Sequence, residues 1–374
     1  MHIGLNAQLL SLSGDYRAAG ITWYIYNLLA HLPPSDHRYI AFLGERKAEG
    51  LFPQVDLRFS RLPTGNPLVR ILWEQAVLPF QLVKEGIDLI HSLAFVQPLF
   101  TSCPGVVTIY DLGFLLFPEG FNPWKRLYLK YMTPYSARRS RRVIALSQST
   151  KNDLSRLFGI PEEKIEVVPC GVDPRFQPLN GNLISQFRQR RRLPERMILF
   201  VGTIELRKNV SLLLEAYAQI KKDIPHALVL AGARGWGADG VLAQAEKLGL
   251  ADVIFAGYVE QEELPLWYNA ADLLAYPSLY EGFGLPPLEA MASGTPVVTS
   301  NTSSLPEVVG DAGILVDPRN GDEIASAILK VLHDKGLQEE MRKRGLERAN
   351  RFTWQGAAEE TVRVYEEVMR GEDV

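Results

Sequence analysis

The feature that most constrains this chain is a regular alternation of short β-branched runs with stretches of helical periodicity, and it occurs twice. In the first half, strand-like runs at 2–8, 39–44, 55–60, 87–93, 106–110, 142–147 and 165–169 are interleaved with helical patterns at 20–31, 67–84, 124–140 and 148–158. Pro169, Gly171, Pro174 and Pro178 then crowd one polar stretch, which reads as a linker over 171–180. Beyond it the alternation restarts, with strands at 197–202, 226–232, 253–259, 273–278, 296–300 and 313–318. Helical patterns fall at 209–222, 239–249, 261–270 and 286–293, and at 321–333, 336–350 and 354–370. Strands alternating with helices build mostly parallel sheets covered on both faces, so an α/β fold with two such sheets is expected.

A chain of 374 residues is also too long for one ordinary core. The expected division is an N-terminal domain over 1–170, the linker, a C-terminal domain over 181–353, and a terminal helical segment over 354–374. That last segment carries a stripe of Trp354, Ala357, Ala358, Thr361, Val362, Tyr365 and Val368, which needs a partner surface. The stripe predicts packing back on the N-terminal domain; docking on its own domain is the alternative. Open parallel sheets bind ligands beyond their strand carboxyl ends, where the strand order reverses, so a ligand between the domains is expected.

Composition excludes several classes. With 47% hydrophobic and 22% charged residues, the chain matches soluble globular proteins, and no apolar run approaches the ~20 residues of a membrane span. The start of the sequence leads directly into strand-like residues rather than a secretory pattern. Cys103 and Cys170 fit no disulfide or metal spacing, so a cytoplasmic location is expected. The first 173 residues carry 18 basic and 15 acidic groups and the remainder 22 and 28, so neither half has the basic field of a nucleic-acid binder. Residues 124–142 are the local exception, with seven basic side chains, no acid and several aromatics. Such a segment suits peripheral contact with an anionic membrane, at the inner face of the cell membrane. Core aromatics with a solvated basic face are the alternative, and Pro134 is expected to interrupt the helix.

The densest chemical signal is ADLLAYPSLYEGFGLPPLEAMASGTPVVTSNTSSLPE, residues 271–307. A buried strand gives way to a turn, and Pro286 and Pro287 fit a helix start, where missing N–H groups cost least. Gly282 and Gly284 let the backbone approach a ligand, and the amides of Phe283, Gly284 and Leu285 would present the positive end of the helix dipole to a diphosphate. Glu281 before the helix and Glu289 within it suit sugar and ribose hydroxyls; a capped buried helix with a solvated Glu pair is the alternative. In VGTIELRKN, residues 201–209, a strand ends at Gly202 and two cations, Arg207 and Lys208, sit at the following turn. Charge-assisted bonds from both would stabilise a departing nucleotide, against the plain alternative of a solvated pair. Gly20, ahead of an amphipathic helix, and Asp111, at the end of the run VVTIYD, are further candidates. Gly20 would permit close backbone approach to a phosphate or an acceptor, and Asp111 would orient a hydroxyl or act as a helper base. A simple turn and a local cap are the respective alternatives.

At this point the chain resembles the retaining GT-B glycosyltransferases of the group-one family, glycosyltransferase family four. Glu281 and Glu289 match its Glu-x7-Glu spacing, and PSLYEGFGLPPLEAMASGTPVV matches almost continuously. NVSLLLEAYAQI, FAGYV, VVPCGVDPRF and RFTWQGAAEETVRVYEEV extend the likeness along nearly the whole chain. The resemblance implies two Rossmann-like domains facing a central cleft, acceptor bound by the first and nucleotide sugar by the second. It implies Glu281 at the donor sugar, Glu289 at the ribose, and the 283–285 amides with Gly282 on the sugar and phosphates. Lys208 matches the family's Lys six residues after the glycine; the family's usual Arg position is Thr203 here, which leaves Arg207 as the candidate. Gly20, Gly202, Thr203 and Val259 join the donor-binding set. Tyr110 stands where relatives commonly have His.

No Asp-x-Asp occurs, and no His, Cys or carboxylate cluster has metal spacing, so no metal and no cofactor are expected. The style of the motifs resembles bacterial mannosyltransferase-like members that build surface polysaccharides. GDP-mannose is therefore the expected donor, with a UDP-hexose as runner-up, and a glycan or lipid-linked glycan the expected acceptor. A sugar-nucleotide 2-epimerase and a non-enzymatic two-domain binding protein are the rival readings.

Overall fold

The computed structural model describes residues 1–12 and 19–371. Part of the segment leading to Gly20, residues 13–18, lies outside the described residues. The chain divides into two compact units. Unit 1 comprises Met1–Leu116, Phe121–Gly171 and Thr353–Val374, and unit 2 comprises Phe117–Gly120 and Val172–Phe352.

Unit 1 holds seven strands: β1 (His2–Asn6), β2 (Arg38–Leu43), β3 (Val55–Phe59), β4 (Leu89–Ser92), β5 (Gly105–Ile109), β6 (Arg142–Ala145) and β7 (Ile165–Val167). They form one sheet in the order β3-β2-β1-β4-β5-β6-β7, with every pairing parallel. β4 and β5 are buried at every position, as strands covered on both faces must be. Val107, Ile109, Val143 and Ala145 meet Phe114, Leu129, Ala137 and Leu154 from the helices on one side. Helix Trp354–Arg370 belongs to this unit and buries Trp354, Ala357, Ala358, Thr361, Val362, Val364 and Tyr365. Its Tyr365 hydroxyl lies 2.6 Å from Nδ1 of His91, whose Nε2 lies 2.8 Å from the Thr108 hydroxyl. Burial drives the His91 ring down to about 3, so this link between helix and sheet is made by a neutral imidazole.

Unit 2 contains β8 (Met197–Val201), β9 (Ala227–Ala231), β10 (Ile254–Gly257), β11 (Leu273–Tyr276), β12 (Val297–Ser300) and β13 (Ile314–Val316). Its sheet runs β10-β9-β8-β11-β12-β13, again parallel throughout. The order reverses between β8 and β11, and the loops that leave their carboxyl ends carry the densest sequence motifs.

Two local expectations are corrected. Pro134 does not interrupt its helix, which runs unbroken from Pro123 to Arg139 with the ring buried. The proline sacrifices one backbone bond inside a helix whose packed face holds it in place. Helix Gly181–Arg191 had no expected counterpart. Its sequence is dominated by Asn, Gln and Arg, and its fully buried anchor is Phe187, whose ring meets Trp267 edge-on at 5.4 Å. A helix secured by so few apolar contacts leaves almost no periodic signal.

The sheet of unit 2 is also closed tightly above β8 and β9. A Cβ added to Gly232 would stand 1.8 Å from the carbonyl oxygen of Gly202, which is backbone and cannot swing aside. Gly232→Ala is expected to destabilise the protein by about 1–3 kcal/mol or more through overpacking, and to displace the loop that follows β8. Urea denaturation checks the first effect; an unchanged midpoint would show that this approach is not tight.

Candidate nucleotide-sugar site

Three charged side chains converge at the point where the strand order of unit 2 reverses. Arg207 and Lys208 lie in the short helical turn Leu206–Lys208 after β8, and Glu281 lies in the loop after β11. The Lys208 ammonium is 2.7 Å from Oε1 of Glu281 and 2.6 Å from the Tyr276 hydroxyl, with the Tyr276 ring centroid 5.1 Å away. Tyr276 in turn donates to Oε1 of Glu281 at 2.9 Å, and Ser278 donates to the same oxygen at 2.6 Å. The Arg207 guanidinium reaches Oε2 of Glu281 at 3.0 Å, the Tyr280 carbonyl at 2.6 Å and Glu205 at 2.8 Å.

Neither the solvated Arg–Lys pair nor the solvated Glu pair describes this arrangement, because Lys208, Glu281 and Glu289 are all buried. Burial opposes the charge on Glu281, but Lys208 and then Arg207 outweigh it and hold the carboxyl down to about 2. Burial also lowers the Lys208 ammonium, and the Glu281 charge works against that shift.

The local chain explains why these groups meet. Asn209 takes a left-handed conformation, which its short amide side chain tolerates, and turns the chain from the cationic turn into helix Val210–Ile220. Its side-chain amide donates to the carbonyls of Pro277 and Pro318, tying the loop after β8 to those after β11 and β13. Phe200 of β8 stacks on Tyr276 of β11 at 5.7 Å and fixes the phenol that bridges Lys208 and Glu281. Helix Leu285–Ala292 starts at Gly284, in a left-handed conformation with φ +111 and no side-chain cap on its first amides. An added Cβ there would also meet Leu305 at 2.8 Å. Pro286 and Pro287 remove two first-turn donors, so the amides at 283–285 are the positive end that this helix offers.

Among the described residues, the side chains of Glu289 and Thr203 make no hydrogen bond to the cluster, although a Cβ added at Gly202 would stand 3.8 Å from Lys208 Cε. Glu289 lies on the same helix but is held by the Tyr268 hydroxyl at 2.8 Å. Burial raises its carboxyl to about 7, against smaller lowering effects from Tyr268 and Arg175. Gly202 and Thr203 occupy the turn directly after β8, and Val259 follows the edge strand β10. Asp111 and Gly20 belong to unit 1. Asp111 accepts the Gly113 amide at 2.8 Å, and Gly20 sits in the first turn of helix Ala19–His31 with open space around it. Tyr110 spends its hydroxyl on the Leu93 carbonyl, so its polar end is engaged within the fold.

Sequence reasoning missed Tyr276 and Asn209, which join segments far apart in the chain, and Ser278 and Glu205, which hold Glu281 and Arg207 from two or three residues away. It also missed Phe117, which groups with unit 2 and lies 5.9 Å from the Tyr280 ring. Among the described residues, no group of three or more His, Cys, Asp or Glu side chains is placed to hold a metal ion.

The model for glycosyl transferases group 1 matches residues 184–348, and that for glycosyltransferase family 4 matches residues 18–176. O-antigen chain mannosyltransferase B of Escherichia coli is 36% identical over 70% of this chain and 69% of its own length. The chain belongs to the group 1 glycosyltransferases. The MMP alpha-(1->4)-mannosyltransferase of Mycolicibacterium hassiacum is 34% identical and is aligned over 96% of this chain and 98% of its own. Among solved structures, Anabaena HepE in complex with UDP-glucose superposes with a TM-score of 0.75 over 98% of this chain and 99% of its own, at 21% identity. This group 1 enzyme therefore has the GT-B architecture of two parallel-sheet Rossmann-like domains.

The two carboxylates of the transferase should respond oppositely to pH. The unperturbed Glu value is 4.5, and the folded value of Glu289 is about 7, so the folded state holds this proton more tightly. Its contribution to stability is complete below the unfolded value and is lost as pH rises through about 7. Glu281 contributes above 4.5 and loses that contribution as pH falls toward about 2. Glu289→Gln should therefore flatten the fall in urea midpoint between weakly acidic and weakly alkaline pH. An unaltered slope would contradict the buried carboxyl as its source.

Proposed function

We propose that this glycosyltransferase moves a hexose from a nucleoside-diphosphate sugar to an acceptor hydroxyl with retention at the anomeric carbon, and that the donor is GDP-mannose. The observation that carries the reading is the cluster of half-buried Arg207 with buried Lys208 and Glu281 at the strand reversal of unit 2. A diphosphate entering there competes with Glu281 for both cations. Lys208 and Arg207 turn toward the phosphate oxygens, and the 283–285 amides add the positive end of their helix. Oε1 and Oε2 of Glu281, relieved of their cations, then accept hydroxyls of the donor sugar. Glu289 takes the ribose, while Gly202, Thr203, Gly282 and Val259 border the donor.

As the glycosidic bond breaks, negative charge grows on the leaving diphosphate, where the two cations stabilise it most. The acceptor attacks from the same face through an oxocarbenium-like state, and a donor phosphate oxygen takes its proton. Unit 1 binds the acceptor, a glycan or lipid-linked glycan, with Asp111 and Gly20 on its side of the reaction. The charge of the diphosphate is met by side chains and a helix end, so the reaction needs no metal. Mannose is supported by the two mannosyltransferase relatives. A UDP-hexose is the second reading, favoured by the complex of HepE with UDP-glucose. Basic, aromatic residues over 124–142 support peripheral contact with an anionic membrane, where a lipid-linked acceptor would lie. No helix among the described residues is long and apolar enough to cross a membrane.

Glu281→Gln and Lys208→Met should each lower transferase turnover by about ten- to a hundredfold or more, the worth of one charge-assisted contact. Both should keep a cooperative thermal transition. Near-wild-type turnover in two folded variants contradicts the site. Turnover with GDP-mannose should also exceed that with UDP-hexoses and persist in excess EDTA; loss restored by magnesium or manganese contradicts metal independence.

A further inference from the structure

The parallel sheet of unit 1 has a strand reversal of its own, between β1 and β4. Open sheets take ligands beyond their strand carboxyl ends at such a point. β1 ends there on Asn6 and β4 on Ser92, two residues paired in register and therefore on one face of the sheet. Both are buried, and among the described residues neither Oδ1 of Asn6 nor the Ser92 hydroxyl has a hydrogen-bond partner. Buried polar atoms are nearly always paired, so two orphans at one strand reversal mark a site rather than a core.

The neighbouring helical segment changes its winding where it meets these residues. Between the α-helical turns Pro67–Leu72 and Leu78–Lys84, residues Trp73–Val77 are wound as a π-helix. The wider turn carries two successive residues, Trp73 and Glu74, into the interior. Trp73 joins the apolar cluster of Ile40, Phe42 and Leu78. Glu74 instead meets Asn6, whose Nδ2 donates to Oε1 at 3.4 Å, and Arg70, whose Nε lies 3.8 Å from the same oxygen. Both contacts are long. Among the described residues Oε2 of Glu74 has no donor, and the Arg70 guanidinium makes no hydrogen bond. Burial raises the Glu74 carboxyl to about 7, against smaller lowering effects from Arg70 and Asn6. A buried acid so thinly satisfied weakens a fold, so packing does not account for its presence. The pair is also within reach of a ligand, because the Glu74 side chain is 10% exposed and that of Arg70 19%.

We propose that Glu74, with Arg70 and Asn6 beside it, binds two neighbouring hydroxyls of the saccharide acceptor. The proposal rests on the reading that unit 1 takes a glycan, and it supplies the residues that hold one. Oε2 of Glu74 accepts from one hydroxyl while the Arg70 guanidinium donates to the next. An acceptor and a donor side by side match vicinal sugar hydroxyls, each of which gives and takes a hydrogen bond. An anionic group would meet the Glu74 carboxylate at the same point and be repelled, so a neutral sugar fits where a phosphate does not.

NMR titration with saturation transfer measures the binding of methyl α-mannoside and of an α-linked mannotriose to the full chain held in excess GDP. Wild type is compared with Glu74→Leu and Glu74→Gln. Wild type should bind the saccharides, and Glu74→Leu should bind them about ten- to a hundredfold more weakly, the worth of a hydrogen bond to a charged group. The Tm of Glu74→Leu should stay level or rise, because an apolar side chain of similar size replaces a poorly satisfied buried acid. Glu74→Gln keeps the shape of the site and should weaken binding in the same direction. Undiminished saccharide binding by the folded variants overturns the proposal, and so does the absence of saccharide binding in wild type. A Glu74-dependent saccharide signal in a protein that neither binds GDP nor turns over a nucleotide sugar supports this site and overturns the donor reading instead.

Discussion

The ion pair between Lys208 and Glu281 is the contact on which the candidate site depends. At 2.7 Å in a medium of effective dielectric near 20 its attraction is on the order of 6 kcal/mol, comparable with the desolvation of two buried ions. The pair therefore contributes little net stability and much geometry. Glu281 is sustained by Tyr276, Ser278 and Arg207 as well as Lys208, so neither of its oxygens is left without a donor. In joining the ends of β8 and β11, the pair spans the strand reversal at which a parallel sheet opens to a ligand. The same contacts keep Lys208 buried and Arg207 half-buried, held by Glu281 together with Tyr276, Tyr280 and Glu205.

One helix start separates two carboxylates of opposite character. Glu281 is surrounded by cations and stays ionised far below its usual range, whereas Glu289 faces a phenol in a buried setting and holds its proton to about 7. The environments, not the residue type, divide the labour: a permanent charge that organises cations, and a carboxyl able to donate or accept toward a hydroxyl.

The strands of both units were legible because buried parallel strands are short, continuous β-branched runs, and the helices between them carry apolar stripes. Helix Gly181–Arg191 escaped because Phe187 is its one fully buried anchor, and Pro134 misled because its helix packs into the core through Leu129 and Ala137, which overrides a local breaker. In the site, Arg207, Lys208 and Glu281 stood out as charges at the ends of strands. Their partners did not, since Tyr276 reads as one more buried strand residue and Tyr268 lies 21 residues before the Glu289 it holds. Hydroxyl placement is decided by which loops the sheet order brings together, and periodicity carries no record of it. Asp111 and Gly20 were legible as loop residues at strand and helix ends, and the fold leaves both in unit 1.

A crystal structure of the protein with GDP tests most directly where the donor diphosphate lies. The diphosphate should sit between the cationic turn and the 283–285 amides, with Lys208 Nζ and the Arg207 guanidinium at hydrogen-bond distance from phosphate oxygens and drawn away from Glu281. A diphosphate bound elsewhere, with Lys208 still closed on Tyr276 and Glu281, would contradict it.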